Sequence, residues 1–277
     1  MTTPAQLFDI DSHTDAGNVR PLNEDAIAES FMASQGYMVL ADGMGGHNAG
    51  DIASQYTVNT LNQCLEPLLK SQTSFLSKQL RHILTQYVHE VSASVFNQAN
   101  ADADKSGMGC TLVLNYLYDN QLMTAHVGDS RCYLLRDGQL TQLTKDHSLI
   151  QYQIDQGLMN EEEAAKSPIK NQLVRAIGIE AEVNVDIIIT PLQPGDIIIS
   201  ASDGLTENMQ HQQLTEYVNQ SKNEPSPAYY LVEQAKLSGS RDNISVQYVC
   251  VNASFLDTRP MWYKRLIQLY HRIVKLI

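Results

Sequence analysis

The sequence predicts an α+β domain built in layers, and three observations carry that expectation. Short apolar or alternating runs of strand length recur along the chain, most of them beside turn residues. Two long segments with no glycine in their interiors carry apolar residues at helical spacing and stand next to each other, ahead of most of the strand-like runs. Hairpin strands follow, then shorter helices and a last strand, an order that fits α+β layering better than βαβ alternation.

Taken in order, strands are expected at 26–30 (AIAES), 37–42 (YMVLAD), 111–118, 122–128, 131–138, 183–190, 196–202 and 244–251. A helical hairpin is expected over about 48–70 and 73–100, with Pro67 near the end of its first arm. Asn120 and Gln121 are read as closing one β-hairpin, Asp137-Gly138 another, and Pro194-Gly195 as a turn before the 196 strand. No repeat or low-complexity stretch interrupts the chain, so one continuous fold is expected.

Composition narrows the function. With 277 residues, 43% hydrophobic and 18% charged, the chain can bury a large core and reads as an ordinary soluble protein. The first residues have neither a basic start nor an apolar core with a small-residue cleavage site, and no uncharged run reaches the roughly 18–20 residues of a membrane span, so a cytoplasmic location is expected. Cys64, Cys110, Cys132 and Cys250 are widely spaced and form no C-x-x-C pair, which points to buried free thiols rather than disulfides or zinc. A net charge of −12 disfavours a nucleic-acid partner, whose phosphates need clustered Lys and Arg.

Carboxylates carry the chemistry. Asp42, Asp129 and Asp203 each follow a predicted strand and Asp242 directly precedes one, always with a glycine adjacent or within three residues. Glycines at strand ends let backbone turn and an ion approach closely, and oxygen-rich sites suit hard cations such as Mg²⁺ or Mn²⁺. A single Asp-Gly is ordinarily a turn; it is the recurrence after apolar strands that points to metal. In TDAGNVRPLNEDA (14–26), Arg20 offers a planar fork suited to phosphate, and Glu24 and Asp25 follow at once. Alone, Arg20 reads as one arm of a surface salt bridge; together with the carboxylates it points to phosphate chemistry at a metal centre.

The ordered blocks TDAGNVRPLNEDA, ADGMGGHNAG, GMGCTLV, HVGDSRCYLL, LTKDHS, NQLVRAIG, SDGL and RDNISV resemble the metal-dependent protein phosphatase 2C family in its bacterial form, over roughly residues 5–252. The resemblance implies a four-layer α-β-β-α sandwich of two antiparallel sheets, and hydrolysis of phosphoserine and phosphothreonine in proteins, opposing a Ser/Thr kinase, with two or three Mn²⁺ or Mg²⁺ ions. Carried over by motif, Asp42 would bridge two metals and the Gly43 carbonyl would join the second. Asp203 and Asp242 would hold the first. Glu24 would serve the second through water, with Asp25 ordering that water; Asp129, with Asp203, matches a third-metal site. Arg20 would grip the substrate phosphate, and a metal-bridging hydroxide would attack phosphorus without a protein nucleophile.

Two departures stand out. Met44 occupies the position where eukaryotic relatives carry a histidine as general acid; His47 is the nearest histidine, and a structural role in the glycine loop is the reading preferred for it. Cys110 replaces the usual Thr and is read as packing. Residues 146–170 match the family's flap beside the active site. A phosphatase-like binding module without turnover remains an alternative, although such domains usually lack a metal carboxylate; a phosphodiesterase or nuclease is disfavoured by the acidic body.

Beyond domain 1–252, residues 253–277 carry five basic residues against Asp257 alone, leaving −16 on the body. On a helical wheel Trp262, Leu266, Leu269, Ile273 and Leu276 share one face and Lys264, Arg272 and Lys275 lie opposite, an amphipathic helix. Packing on the domain's own acidic surface is favoured over docking a partner or an anionic membrane. A monomer is expected.

Overall fold

The computed structural model describes residues 7–32, 34–45, 49–71, 73, 75–160, 163, 167, 169 and 172–253. His47, most of the second half of the flap and the tail helix expected over 253–277 lie outside the described residues, apart from Ala253.

Two antiparallel sheets form the centre. One has the order β1 (Phe8–Asp15), β11 (Ile244–Val251), β10 (Ile197–Ala201), β7 (Arg131–Arg136), β8 (Gln139–Gln142). The other runs β2 (Asp25–Met32), β3 (Gln35–Met44), β5 (Leu112–Tyr118), β6 (Gln121–Val127), β9 (Asp186–Pro191), with the short β4 (Gly109–Cys110) paired to the end of β3. Helices α1 (Ala49–Lys70) and α2 (Ser77–Ala101) cover the second sheet; α3 (Leu149–Asp155) starts the flap; α4 (Asp203–Thr206), α5 (His211–Ser221) and α6 (Pro227–Leu237) follow β10.

Three apolar clusters bind the layers. Leu61, Leu65, Leu84 and Val88 of the helical hairpin pack on Val39, Leu114 and Tyr116. Leu214, Val218, Leu231 and Val232 cover Tyr133, Ile199 and Val246 on the other side. Between the sheets lie Met38, Val113 and Leu117 against Leu134, Ile198 and Val249. Strand alternation explains why inner strands read as unbroken apolar runs: Ile197 and Ile199 face the helices while Ile198 faces the opposite sheet. The expected four layers are therefore present.

Differences from the expected elements have local causes. The first hairpin turns at Asp119-Asn120, with φ of 48° and 55°, so Gln121 already belongs to β6. The Asp137-Gly138 hairpin forms as expected, with φ of 51° and 79°. Strand β1 went unpredicted because it is an edge strand with few apolar residues, paired only to β11; β4 and β8 are too short for periodicity to register.

Candidate metal centre

The two sheets bring every predicted site residue to one end of the sandwich. In the β2–β3 pair Asp25 stands directly across from Asp42. Asp42 does not follow its strand but lies within it, because Gly43 and Met44 continue pairing with Cys110 and Gly109. Its N–H donates to Thr111 Oγ1 at 3.0 Å and its carbonyl accepts from the Thr111 N–H at 2.8 Å, so the Asp42 backbone is gripped on both sides. Gly43 has no left-handed backbone; a Cβ there would meet the Gly50 carbonyl oxygen at 2.2 Å, so glycine lets the strand approach the start of α1. The Gly43 N–H donates to the Glu24 carbonyl at 3.0 Å. The Glu24 carboxylate lies over the first turn of α1, 2.7 Å from where a Gly50 Cβ would stand, and accepts from the Asp51 backbone.

From the other sheet, Asp203 opens α4 just past β10 and Asp242 precedes β11. Close backbone packing again demands glycine: a Cβ on Gly204 would sit 2.0 Å from the Asn243 carbonyl oxygen. Asn243 staples the loop that carries Arg20. Its Oδ1 accepts from the Glu24 N–H at 2.9 Å, and its Nδ2 donates to the carbonyls of Ala16 and Leu22 at 3.0 and 2.8 Å. Arg20 itself donates through Nη2 to Asp242 Oδ2 at 2.7 Å, so the expected phosphate grip is ion-paired to an expected metal ligand.

Asp129 follows Gly128, whose φ is +104°. Gly128 is clamped by His147: its N–H donates to Nδ1 at 3.0 Å and its carbonyl accepts from the His147 N–H at 2.8 Å. Burial, and then the Arg175 charge, hold the His147 pKa below the usual imidazole value, so Nδ1 stays available as an acceptor. The Nε2 side lies 3.3 Å from Asp186.

The electrostatics are those of a centre short of positive charge. Burial, then the charges of Asp25, Asp203, Asp129 and Asp242, drive the Asp42 pKa well above the carboxylate range. Asp203 is raised likewise, by burial and then Asp129 and Asp242. Burial lifts Asp25 to about 6 against the opposing hydroxyls of Ser245 and Ser202, the latter donating to Oδ2 at 2.8 Å. Asp129 reaches about 6 through burial and the neighbouring Asp146. Burial also raises Glu24, against the pull of Arg20. Asp42, Asp129 and Asp203 are each half-buried as residues, and burial is the first cause of the shift at every one of the three carboxyls. Asp25 Oδ1 is buried with no hydrogen-bond partner. Among the described residues no three His, Cys, Asp or Glu side chains already form a closed ligand cage. An all-oxygen donor set, an orphaned carboxylate oxygen and mutual repulsion nonetheless fit hard divalent cations, whose charge would offset that repulsion.

The sequence reading missed the positioning residues Asn243, Thr111, Ser202, Ser245 and His147. All five lay inside the quoted motifs, but nothing local shows which groups they hold. Cys110 is buried, with Sγ 3.2 Å from Thr57 Oγ1, and burial pushes its pKa to about 12, in keeping with packing.

Known proteins share this fold. The protein phosphatase 2C family model matches residues 11–236. The serine/threonine phosphatase stp of Listeria monocytogenes is 36% identical over 239 residues, 85% of this chain and 93% of the relative. The solved serine/threonine phosphatase of S. agalactiae superposes with a TM-score of 0.80 at 31% identity, covering 88% of this chain and all of that one. The catalytic domain of the serine/threonine protein phosphatase PstP, solved in complex with two manganese ions, has a TM-score of 0.75 at 32% identity, over 88% of this chain and 98% of that one. With matched sequence, matched fold and a carboxylate centre in place, the chain belongs to the protein phosphatase 2C family.

Proposed function

We propose that this chain hydrolyses phosphoserine and phosphothreonine in proteins with Mn²⁺ or Mg²⁺ as cofactor. The observation that carries this reading is the convergence of Asp25, Asp42, Asp129, Asp203 and Asp242 at one end of the sandwich, close enough to shift one another's protonation. When bound, the divalent ions supply Lewis-acid charge for phosphoryl oxygens and lower the pKa of water.

The residues divide the work. Asp42, Asp203 and Asp242 would be direct ligands, with the Gly43 carbonyl beside Asp42. Glu24 and Asp25 would help hold a second ion, and Asp129 with Asp203 a third. Arg20, whose side chain is 48% exposed, exchanges its Asp242 contact for the substrate phosphate, where a planar fork matches two oxygens. Thr111 and Asn243 fix the backbones of Asp42 and of the Arg20 loop, so the groups meet the reacting phosphoryl already oriented.

The test is release of phosphate from a phosphothreonine peptide with Mn²⁺, with excess chelator, and in the Asp42→Asn and Arg20→Ala variants. Metal-dependent release, lost in the first variant and weakened in the second with metal binding intact, supports the assignment. Full metal-dependent turnover by Asp42→Asn would overturn it.

The setting is assigned more coarsely. Among the described residues no helix is long and apolar enough to cross a membrane. The reading for the domain over 1–252 is a cytoplasmic monomer opposing a Ser/Thr kinase, and the charge contrast between +4 on residues 253–277 and −16 on the rest of the chain favours attraction of the tail to the body. Co-sedimentation with anionic vesicles, with and without residues 258–277, checks the tail: equal sedimentation fits packing on the body, and loss on truncation fits membrane docking.

A further inference from the structure

The carboxylate centre reads phosphate; the side chains beside it face something apolar. Among the described residues Val19 and Leu22 stand 53% and 49% exposed on either side of Arg20. Across the centre, Val174 and Ile179, 56% and 46% exposed, rim a cavity of ≈ 250 Å³ whose other apolar walls are Met44, Leu173 and Val183. Two charged residues, Arg175 and Glu180, border the same cavity; the Arg175 guanidinium is engaged elsewhere, donating to Asp186 Oδ1 at 2.8 Å and to the Asn184 carbonyl at 3.3 Å.

The walls of this cavity are tied to the metal centre through the backbone. Met44 lies two residues beyond Asp42 on β3, and that end of β3 pairs with β4 at Cys110. Cys110 in turn exchanges backbone hydrogen bonds with Ile177, at 3.1 and 2.9 Å, which anchors the Val174–Ile179 wall. Two strand residues span about 7 Å, and an extended peptide advances by the same roughly 3.3 Å per residue. A side chain in the cavity therefore belongs to a residue close in sequence to the one whose phosphate meets the metals. The volume is below the roughly 300–1,000 Å³ of small-molecule sites and suits one side chain.

We propose that the cavity is a substrate pocket for an aliphatic side chain, leucine, isoleucine or methionine, one to three residues from the phosphorylated serine or threonine. The assignment rests on the phosphatase reading above, and its test separates the two. Phosphothreonine peptides carrying leucine or aspartate at each of these flanking positions are compared by kcat/KM, with p-nitrophenyl phosphate as a substrate lacking any flanking side chain. Leucine at one position is expected to exceed aspartate by about tenfold or more. Val174→Glu and Ile179→Glu, at exposed positions that tolerate charge, are expected to bring that ratio near one, whereas Leu237→Glu on the outer helix keeps it. Turnover of p-nitrophenyl phosphate with no leucine preference, or a preference unchanged in both rim variants, overturns the pocket alone. No turnover of any substrate by the Mn²⁺-loaded wild type overturns the phosphatase reading, and the pocket with it.

Discussion

Asp196 and Asp42 are both enclosed aspartates at the ends of the sandwich, and the chain treats them in opposite ways. Asp196, 1% exposed, accepts from Arg136 Nε and Nη2 at 2.8 and 2.6 Å and from the Gln193 N–H at 2.7 Å. Asp146 is gripped in the same manner by Arg131, at 3.0 and 2.6 Å. Asp42 forms no ion pair with Lys or Arg among the described residues and sits instead in the field of four other aspartates. A buried carboxylate without a cation costs several kcal/mol in a folded protein, so an arginine fork is the normal remedy. Supplying that fork to Asp196 and Asp146 and withholding it from Asp42 leaves the centre demanding an external cation.

The largest effect expected from breaking this contrast is on turnover. Asp42→Asn should lower metal-dependent phosphopeptide hydrolysis by about a thousandfold or more and weaken Mn²⁺ binding in calorimetric titration. Asp196→Asn should do the reverse, leaving Mn²⁺ binding per folded molecule intact. It removes the charge partner of Arg136, which keeps its bond to the Pro191 carbonyl, and because that arginine is about a third exposed, the expected loss in denaturant unfolding is about 1–2 kcal/mol, below the ~3–5 of a fully buried pair.

A pH series sharpens the comparison. Asp25 and Asp129 titrate near 6 against an ordinary 3.8, so between those values the metal-free native state binds more protons than the unfolded chain. Their contribution to stability is present below about pH 4 and lost as pH rises through about 6. The rise in Tm caused by Mn²⁺, measured against chelator by calorimetry, should therefore widen from pH 5 to pH 7 as cation replaces proton. A gap that shrinks over this range would contradict the repulsive centre.

Smaller effects probe the scaffold. Asn243→Ala removes three hydrogen bonds to the Arg20 loop, and KM for a phosphopeptide should rise about fivefold to tenfold with a lesser change in kcat. Cys110, buried and with its pKa at about 12, should resist thiol reagents at pH 8 until the protein unfolds, leaving turnover unaffected by them.

The sequence by itself determined the layered α+β class, the main strands and helical hairpin, and the identity of the acidic residues. Those features are written in alternation, helical spacing and Asp-Gly turns, each a pattern local to its own segment. Tertiary structure decided how they meet. The Arg20–Asp242 contact spans 222 residues and the Ser202–Asp25 hydrogen bond 177, and each crosses between elements whose pairing no local pattern encodes. The same holds for Asn243 reaching the Arg20 loop, His147 clamping Gly128, and the cavity between β3 and the 174–179 wall. Backbone hydrogen bonding and sheet register place these groups, because a side chain's partners are set by where its strand lies, not by its neighbours in the chain.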